Sequence, residues 1–304
     1  MIEPNPGASR ALILNPSLWW RAVRPRTLTL AVVPVAVGIA LALHDGGDGD
    51  PWLGLLTLVC ALLIQAGTNL FNDASDAERG NDGPDRLGPD RITGLGLASP
   101  RQVKRSAWLL FAVALLTGLY LAFVGGWPIL LIGLASLAAG WAYSGGPRPL
   151  SHTAWGELFV VLFFGLAAVA GSYYLQRGQF SGVALWIGFA LGLHAAAVLL
   201  LNNLRDHESD HRAGRRTLVH VAGTKAAYWL YVAFLLSPFP VLAVVLYPSG
   251  LTVAWLALPF CVWLAWRCAR LIPSPAMNAQ LGLTAVAQVL LGSLLSLALI
   301  TDKL

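Results

Sequence analysis

Long apolar runs recur along the chain, each closed by a short stretch rich in charge, glycine or proline. Nine of them, residues 27–43, 52–71, 107–124, 128–143, 155–175, 183–204, 226–247, 251–271 and 281–300, reach or approach the roughly 17 to 25 residues a helix needs to cross a hydrocarbon core. None shows the apolar and polar alternation of a barrel strand, and backbone in lipid has to satisfy its own hydrogen bonds. The pattern predicts an all-α, polytopic membrane protein of nine transmembrane helices. The fourth run is short and Pro238 and Pro240 interrupt the seventh, so those two boundaries are the softest. Residues 1–26 carry four prolines and lack the basic, apolar, small-residue order of a signal peptide. They are expected to form a retained cytoplasmic and interfacial segment, with Trp19, Trp20, Arg21, Arg24 and Arg26 at headgroup level, and residues 27–304 to form one transmembrane domain.

Composition agrees with a lipid solvent. Hydrophobic residues make up 57% and charged residues 12%, against about 25% charged in a soluble domain. A soluble, disordered or coiled-coil chain is excluded. Cys60, Cys261 and Cys268 stand alone in apolar runs, without CxxC or Cys/His spacing, and read as small packing residues rather than a disulfide or zinc framework. The net charge of +5 needs no nucleic-acid partner, because positive-inside topology accounts for it. With the N-terminus cytoplasmic, 18 Lys and Arg fall on the inner side and 2 on the outer. That split predicts a multi-pass protein of the cell inner membrane with its N-terminus inside.

The acids cluster for another reason. Six lie from Asp73 to Asp90 and three from Asp206 to Asp210, both on the cytoplasmic side. The outer acids Asp45, Asp48 and Asp50 sit among glycines and read as a solvated turn. Residues 69–80 laid over 203–214, at an offset of 134, match at five of 12 positions. The offset spans four helices, which suggests two pseudo-repeated four-helix halves plus one helix, with an acidic segment at equivalent places in each. At the end of the second run Asn69, Asn72, Asp73 and Asp76 share a helical face; at the end of the sixth, Asn203, Asp206 and Asp210 do so, with Asn202 beside them. Aspartates near a bilayer have to face a polar cavity or water. Opposed carboxylates need cations between them, and oxygen ligands without His or Cys favour Mg²⁺ over Zn²⁺. Magnesium is commonly completed by phosphate oxygens, and Arg79, Arg86, Arg205, Arg212, Arg215 and Arg216 adjoin the clusters. The combination reads as a diphosphate site, against the alternative of an ordinary charged juxtamembrane loop.

These residues also carry a likeness. The chain resembles the UbiA superfamily of intramembrane aromatic prenyltransferases, marked by the segments NDxxDxxxD and DxxxD on nine helices. Asn72, Asp73 and Asp76 match the first, and Asp206 and Asp210 the second. The stretches YSGGPRPLSHTAWGELFV (143–160) and NNLRDHESDHRAGRRTL (202–218), with RPRTL (24–28), resemble the branch that acts on 1,4-dihydroxy-2-naphthoate in menaquinone synthesis. The resemblance implies transfer of a polyprenyl group from polyprenyl diphosphate to 1,4-dihydroxy-2-naphthoate, with loss of CO₂ and diphosphate. It implies Mg²⁺ on Asp73, Asp76, Asp206 and Asp210, with substrate held by Asn69, Asn72, Arg79, Arg148, Asn202, Asn203, Arg205 and Arg215. Gly80 stands where the general pattern has its third Asp, and Asp82 takes that role in this branch. Rival readings are an acceptor such as 4-hydroxybenzoate or homogentisate and, from another class, a cation transporter.

Some further residues admit more than one reading. Glu157 is the one acid inside an expected span; it complements a helix dipole or belongs to the aromatic pocket. His207 and His211, at i and i+4, read as solvated loop histidines without a third ligand, and His194 as a packed, hydrogen-bonded core histidine. Tyr173 reads as an interfacial belt aromatic.

Overall fold

The computed structural model describes residues 15–47, 49–81, 87–246 and 252–301. Among them every regular element is helical. A short helix α1 (Pro16–Ala22) leads to α2 (Pro25–His44), α3 (Pro51–Glu78), α4 (Pro100–Gly125) and α5 (Trp127–Ser144). Then come α6 (Gly156–Arg177), α7 (Gly182–Arg205), the short α8 (His207–Arg212) and α9 (Leu218–Ala222), α10 (Thr224–Val245), α11 (Leu258–Cys268) and α12 (Met277–Thr301). Eight of these are long and apolar enough to cross a membrane. The expected eighth span, 251–271, instead forms a 3₁₀ turn at Thr252–Ala257 followed by the 11-residue α11.

The ends of the helices are written locally. Proline opens α2, α3 and α4, where its missing N–H costs nothing and its fixed φ suits the first turn. Asp50 caps α3 by accepting from the amides of Trp52 and Leu53 at 2.8 and 3.1 Å. Ser99 and Gln102 form a capping box on α4. The acids of this turn are therefore not simply solvated: Asp50 is a cap, and Asp45 accepts from the hydroxyl of Tyr173 at 2.7 Å. Tyr173 itself is buried, packed inside the bundle rather than in a lipid-facing belt. Asp48 lies outside the described residues.

Two features exceed the hydropathy pattern. Helix α3 has 28 residues, about 42 Å, against a hydrocarbon core of about 30 Å. Its last turns, beyond the expected limit at Phe71, are polar and lie among polar partners. Helix α6 changes winding at Val161–Ala167, a π-helical stretch. There Gly165 meets the backbone of Gly188 and Gly192 on α7 so closely that an added Cβ would overlap the Gly188 carbonyl oxygen. The main core sits among α2, α6, α7, α10, α11 and α12, with Leu191, Leu200, Leu201, Tyr231 and Leu291 fully buried. His194 is buried there, its Nε2 3.0 Å from the Leu235 carbonyl, as expected. Cys261 and Cys268 are free and buried, and Cys60 is partly buried.

Candidate active site

The two acidic segments end their helices in the same way. After Asp76 the chain stops at Gly80 with a φ of 71°, and the Asn81 amide returns to the Asp76 carbonyl at 2.9 Å. After Asp210 it stops at Gly214, also with a φ of 71°, and the Arg215 amide returns to the Asp210 carbonyl at 2.9 Å. Glycine enters this left-handed conformation at little cost, and the return bond closes a Schellman-type end. The residue after each glycine also reaches back with its side chain: Asn81 Nδ2 donates to Asp76 Oδ1 at 3.3 Å, and Arg215 Nη1 to Asp210 Oδ1 at 3.1 Å. The 134-residue echo is thus a repeat of conformation as well as of letters.

The repeats face one another through Arg215, whose Nη2 donates to Asp76 Oδ1 at 2.6 Å while Nη1 holds Asp210. Asp76 Oδ2 accepts from Arg91 at 2.5 Å, and Arg91 also donates to the Asn72 carbonyl and to Asn72 Oδ1. Asn72 Oδ1 accepts as well from Arg24 at 3.2 Å, and its amide donates to Ser144 Oγ at 2.8 Å. Arg24 adopts a φ of 55°, an uncommon conformation for a residue with a side chain, at the join of α1 and α2. Asp73 is held by the Thr93 amide and hydroxyl. Arg205 clamps Asp206 through Nε at 2.7 Å and Nη2 at 2.5 Å, and reaches Asn202 at 2.8 Å and Asn278 at 2.6 Å. Arg79 donates to the Ser144 and Gly146 carbonyls at 2.8 and 3.2 Å.

Most of these groups line a cavity of about 1070 Å³. Asp73, Asp76, Asp206, Asp210, Asn69, Asn72, Arg79, Asn202, Asn203, Arg205 and Arg215 all face it. Arg148 is exposed in the Gly and Pro turn after α5 and is not among the residues that line the cavity. Asp82 and Arg86 fall outside the described residues. Sequence reasoning missed Arg91, Thr93 and Asn278. The first two lie in the loop after the acidic segment, where no spacing rule marks which polar residue folds back; Asn278 comes from α12, 73 residues beyond the arginine it binds. The apolar walls come from α2 to α7 and α12, including Leu121, Ile129, Phe159, Phe163, Leu281 and Ala285.

The electrostatics follow from burial and from this density of guanidinium groups. Burial pushes the Asp210 carboxyl up to about 6, against the pull of Arg215 and with Asp206 and Asp76 adding to the rise. Burial pulls the His152 imidazole down to about 4, with Arg215 and Arg79 lowering it further. His207 and His211 are not isolated loop residues: their rings lie 4.4 and 5.9 Å from that of His220. Among the described residues no group of three His, Cys, Asp or Glu is arranged to hold a metal ion. The carboxylates are instead neutralised by arginine, and one guanidinium occupies the place between Asp76 and Asp210 where the two segments face. A cation is thus already accommodated there, among oxygen donors of the kind Mg²⁺ prefers.

A polar, arginine-bridged carboxylate cluster beside apolar cavity walls within a helical bundle suits an amphiphile with a strongly anionic head. The chain belongs to the UbiA prenyltransferase family, which matches residues 31–299. It is 38% identical over 246 residues to the 1,4-dihydroxy-2-naphthoate octaprenyltransferase of Mycobacterium tuberculosis (strain ATCC 25618 / H37Rv), covering 80% of each chain. It is 39% identical over 210 residues to the Escherichia coli (strain K12) protein of the same name, covering 66% of this chain and 67% of that one. Its fold is similar to that of a UbiA homolog from Archaeoglobus fulgidus bound to DMAPP and Mg²⁺, with a TM-score of 0.68, 16% identity, and coverage of 93% of this chain and 99% of that one.

Proposed function

We propose that this membrane enzyme transfers a polyprenyl group from polyprenyl diphosphate to 1,4-dihydroxy-2-naphthoate, with loss of CO₂ and diphosphate, in menaquinone biosynthesis. The observation that carries the reading is the bridge from Asp76 through Arg215 to Asp210, which puts both acidic segments at the head of one apolar cavity. The similarity to the two naphthoate enzymes supports the acceptor. The protein lies in the cell inner membrane with its N-terminus and cavity mouth on the cytoplasmic side, as the distribution of Lys and Arg supports.

Asp73, Asp76, Asp206 and Asp210 would hold Mg²⁺, with Asp82 in the same role. When bound, the metal supplies electrostatic stabilisation to the leaving diphosphate. Arg79, Arg91, Arg205 and Arg215 surround the same place and offer charge-assisted hydrogen bonds to phosphate oxygens. As the allylic C–O bond breaks, its electron pair leaves with the diphosphate, where these guanidinium groups offset the growing charge. The apolar walls hold the tail and keep water from the allylic cation. The ring carbon bearing the carboxylate forms the new C–C bond, and the C–CO₂ bond then breaks, returning its electron pair to the ring.

The test is incubation of purified protein with Mg²⁺, 1,4-dihydroxy-2-naphthoate and prenyl diphosphates of several lengths, with products identified by mass. A prenylated, decarboxylated naphthalenediol is expected. Preference for 4-hydroxybenzoate, with the carboxylate retained, would move the protein to another acceptor.

A further inference from the structure

Glu157 is 2% exposed in the first turn of α6, and the mechanism above does not use it. Its Oε1 accepts from Asn203 Nδ2 at 2.8 Å, while Oε2 is buried without a partner among the described residues. A buried carboxylate with one oxygen unsatisfied is costly, so its presence beside Asn203 calls for a reason beyond packing. Asn203 lines the cavity and Glu157 stands behind it. A carboxylate only accepts, so the amide of Asn203 has to turn its NH₂ towards Glu157 and its carbonyl oxygen the other way.

The equivalent residue of the other half is fixed in the same sense. Asn69, 134 positions earlier, gives its NH₂ to the Val23 carbonyl at 2.7 Å and to Thr27 Oγ1 at 3.0 Å. Neither asparagine accepts a side-chain hydrogen bond from a described residue through Oδ1. Asn203 lies one helical turn before Asp206, on the tail side of the diphosphate end. The cavity lining also includes Tyr143, Phe159, Phe163 and Leu199, and the rings of Phe159 and Phe163 stack with centroids 6.0 Å apart. These walls fit a flat ring, and a neutral carbonyl oxygen among them fits a neutral hydroxyl donor.

We propose that Glu157 is a positioning residue that locks the Asn203 amide so that its Oδ1 accepts a hydrogen bond from a ring hydroxyl of the aromatic acceptor. The inference rests on the prenyl-transfer reading and adds how the acceptor is recognised. In Glu157→Gln the new amide can donate to Asn203 Oδ1 and let that side chain turn over, presenting NH₂ to the cavity. The paired change Glu157→Gln with Asn203→Asp reverses the bond, so that the new amide donates to the new carboxylate while an oxygen of the latter again faces the cavity, with the pair's charge unchanged.

The experiment measures acceptor binding by naphthoate fluorescence, without prenyl diphosphate, and steady-state kinetics for wild type, Glu157→Gln and the paired variant. The acceptors are 1,4-dihydroxy-2-naphthoate and its two monohydroxy analogues. Glu157→Gln is expected to weaken binding of the dihydroxy acceptor about tenfold and raise its KM, with the KM for prenyl diphosphate little changed. The loss should shrink for the analogue that lacks the hydroxyl received by Asn203, and the paired variant should recover most of it. Equal losses with all three acceptors, a matching change in the KM for prenyl diphosphate, or no recovery in the paired variant with a wild-type melting temperature would overturn the inference. If wild type binds the naphthoates but transfers no prenyl group, the functional reading fails while the binding comparison still decides the role of Glu157.

Discussion

Arg215 joins three roles at one residue: it follows the glycine that ends the second acidic segment, it holds Asp210, and it crosses the cavity to Asp76. A lysine keeps the charge but lacks the planar fork that lets two nitrogens take two carboxylates. Arg215→Lys should therefore fold and lose activity by about 10²-fold, a loss of the size seen when a preorganised donor is removed; turnover beside a melting curve checks this. His152 offers a second test. Its ordinary value is 6.5 and the folded value about 4, so the unfolded chain takes up a proton first as pH falls. Its contribution to stability is thus present above 6.5 and is lost as pH falls towards 4, and His152→Gln should flatten that part of a stability profile. Imidazole NMR should place its titration near 4, and added Mg²⁺ with pyrophosphate should raise it, because the anion offsets Arg215 and Arg79. The aspartates and asparagines were legible in the sequence because helical spacing puts them on one face. Arg91 and Thr93 were not, since a loop of no fixed period decides which residues return to Asp76 and Asp73.

At the scale of elements, the close approach of α6 and α7 depends on glycine. Gly165→Ala would place a methyl against the Gly188 carbonyl oxygen, so the helices would have to part, at a cost of about 1–3 kcal/mol or more because the obstacle is backbone. A lowered melting temperature in detergent, with loss of activity following it, is the expected result; an unchanged melting temperature would mean the contact is looser than described. The helices were legible as apolar runs, and their number nearly so. The winding of α6 was not, because an apolar run reads alike in α and π geometry. Nor was the 3₁₀ entry to α11, because hydropathy counts residues and not the rise of each. The polar extension of α3 past Phe71 follows from the same limit: the pattern marks where lipid ends, not where the helix does.

For the whole molecule, the balance of Lys and Arg predicts which loops face the cytoplasm. Gln179→Cys, in the exposed turn between α6 and α7, should react with an impermeant thiol reagent on intact cells. Leu95→Cys, exposed in the loop after the first acidic segment, should react only after the membrane is opened. The reverse pattern would overturn the orientation and the side of the cavity mouth. In the proposed function the two acidic segments act together on one diphosphate, which turnover against Mg²⁺ concentration for folded Asp76→Asn and Asp210→Asn puts to the test. Each variant should lose orders of magnitude in rate, each tenfold matching about 1.4 kcal/mol of lost stabilisation of the leaving group, with a raised Mg²⁺ requirement in both. Near-normal rates in both variants at ordinary Mg²⁺ would contradict the account.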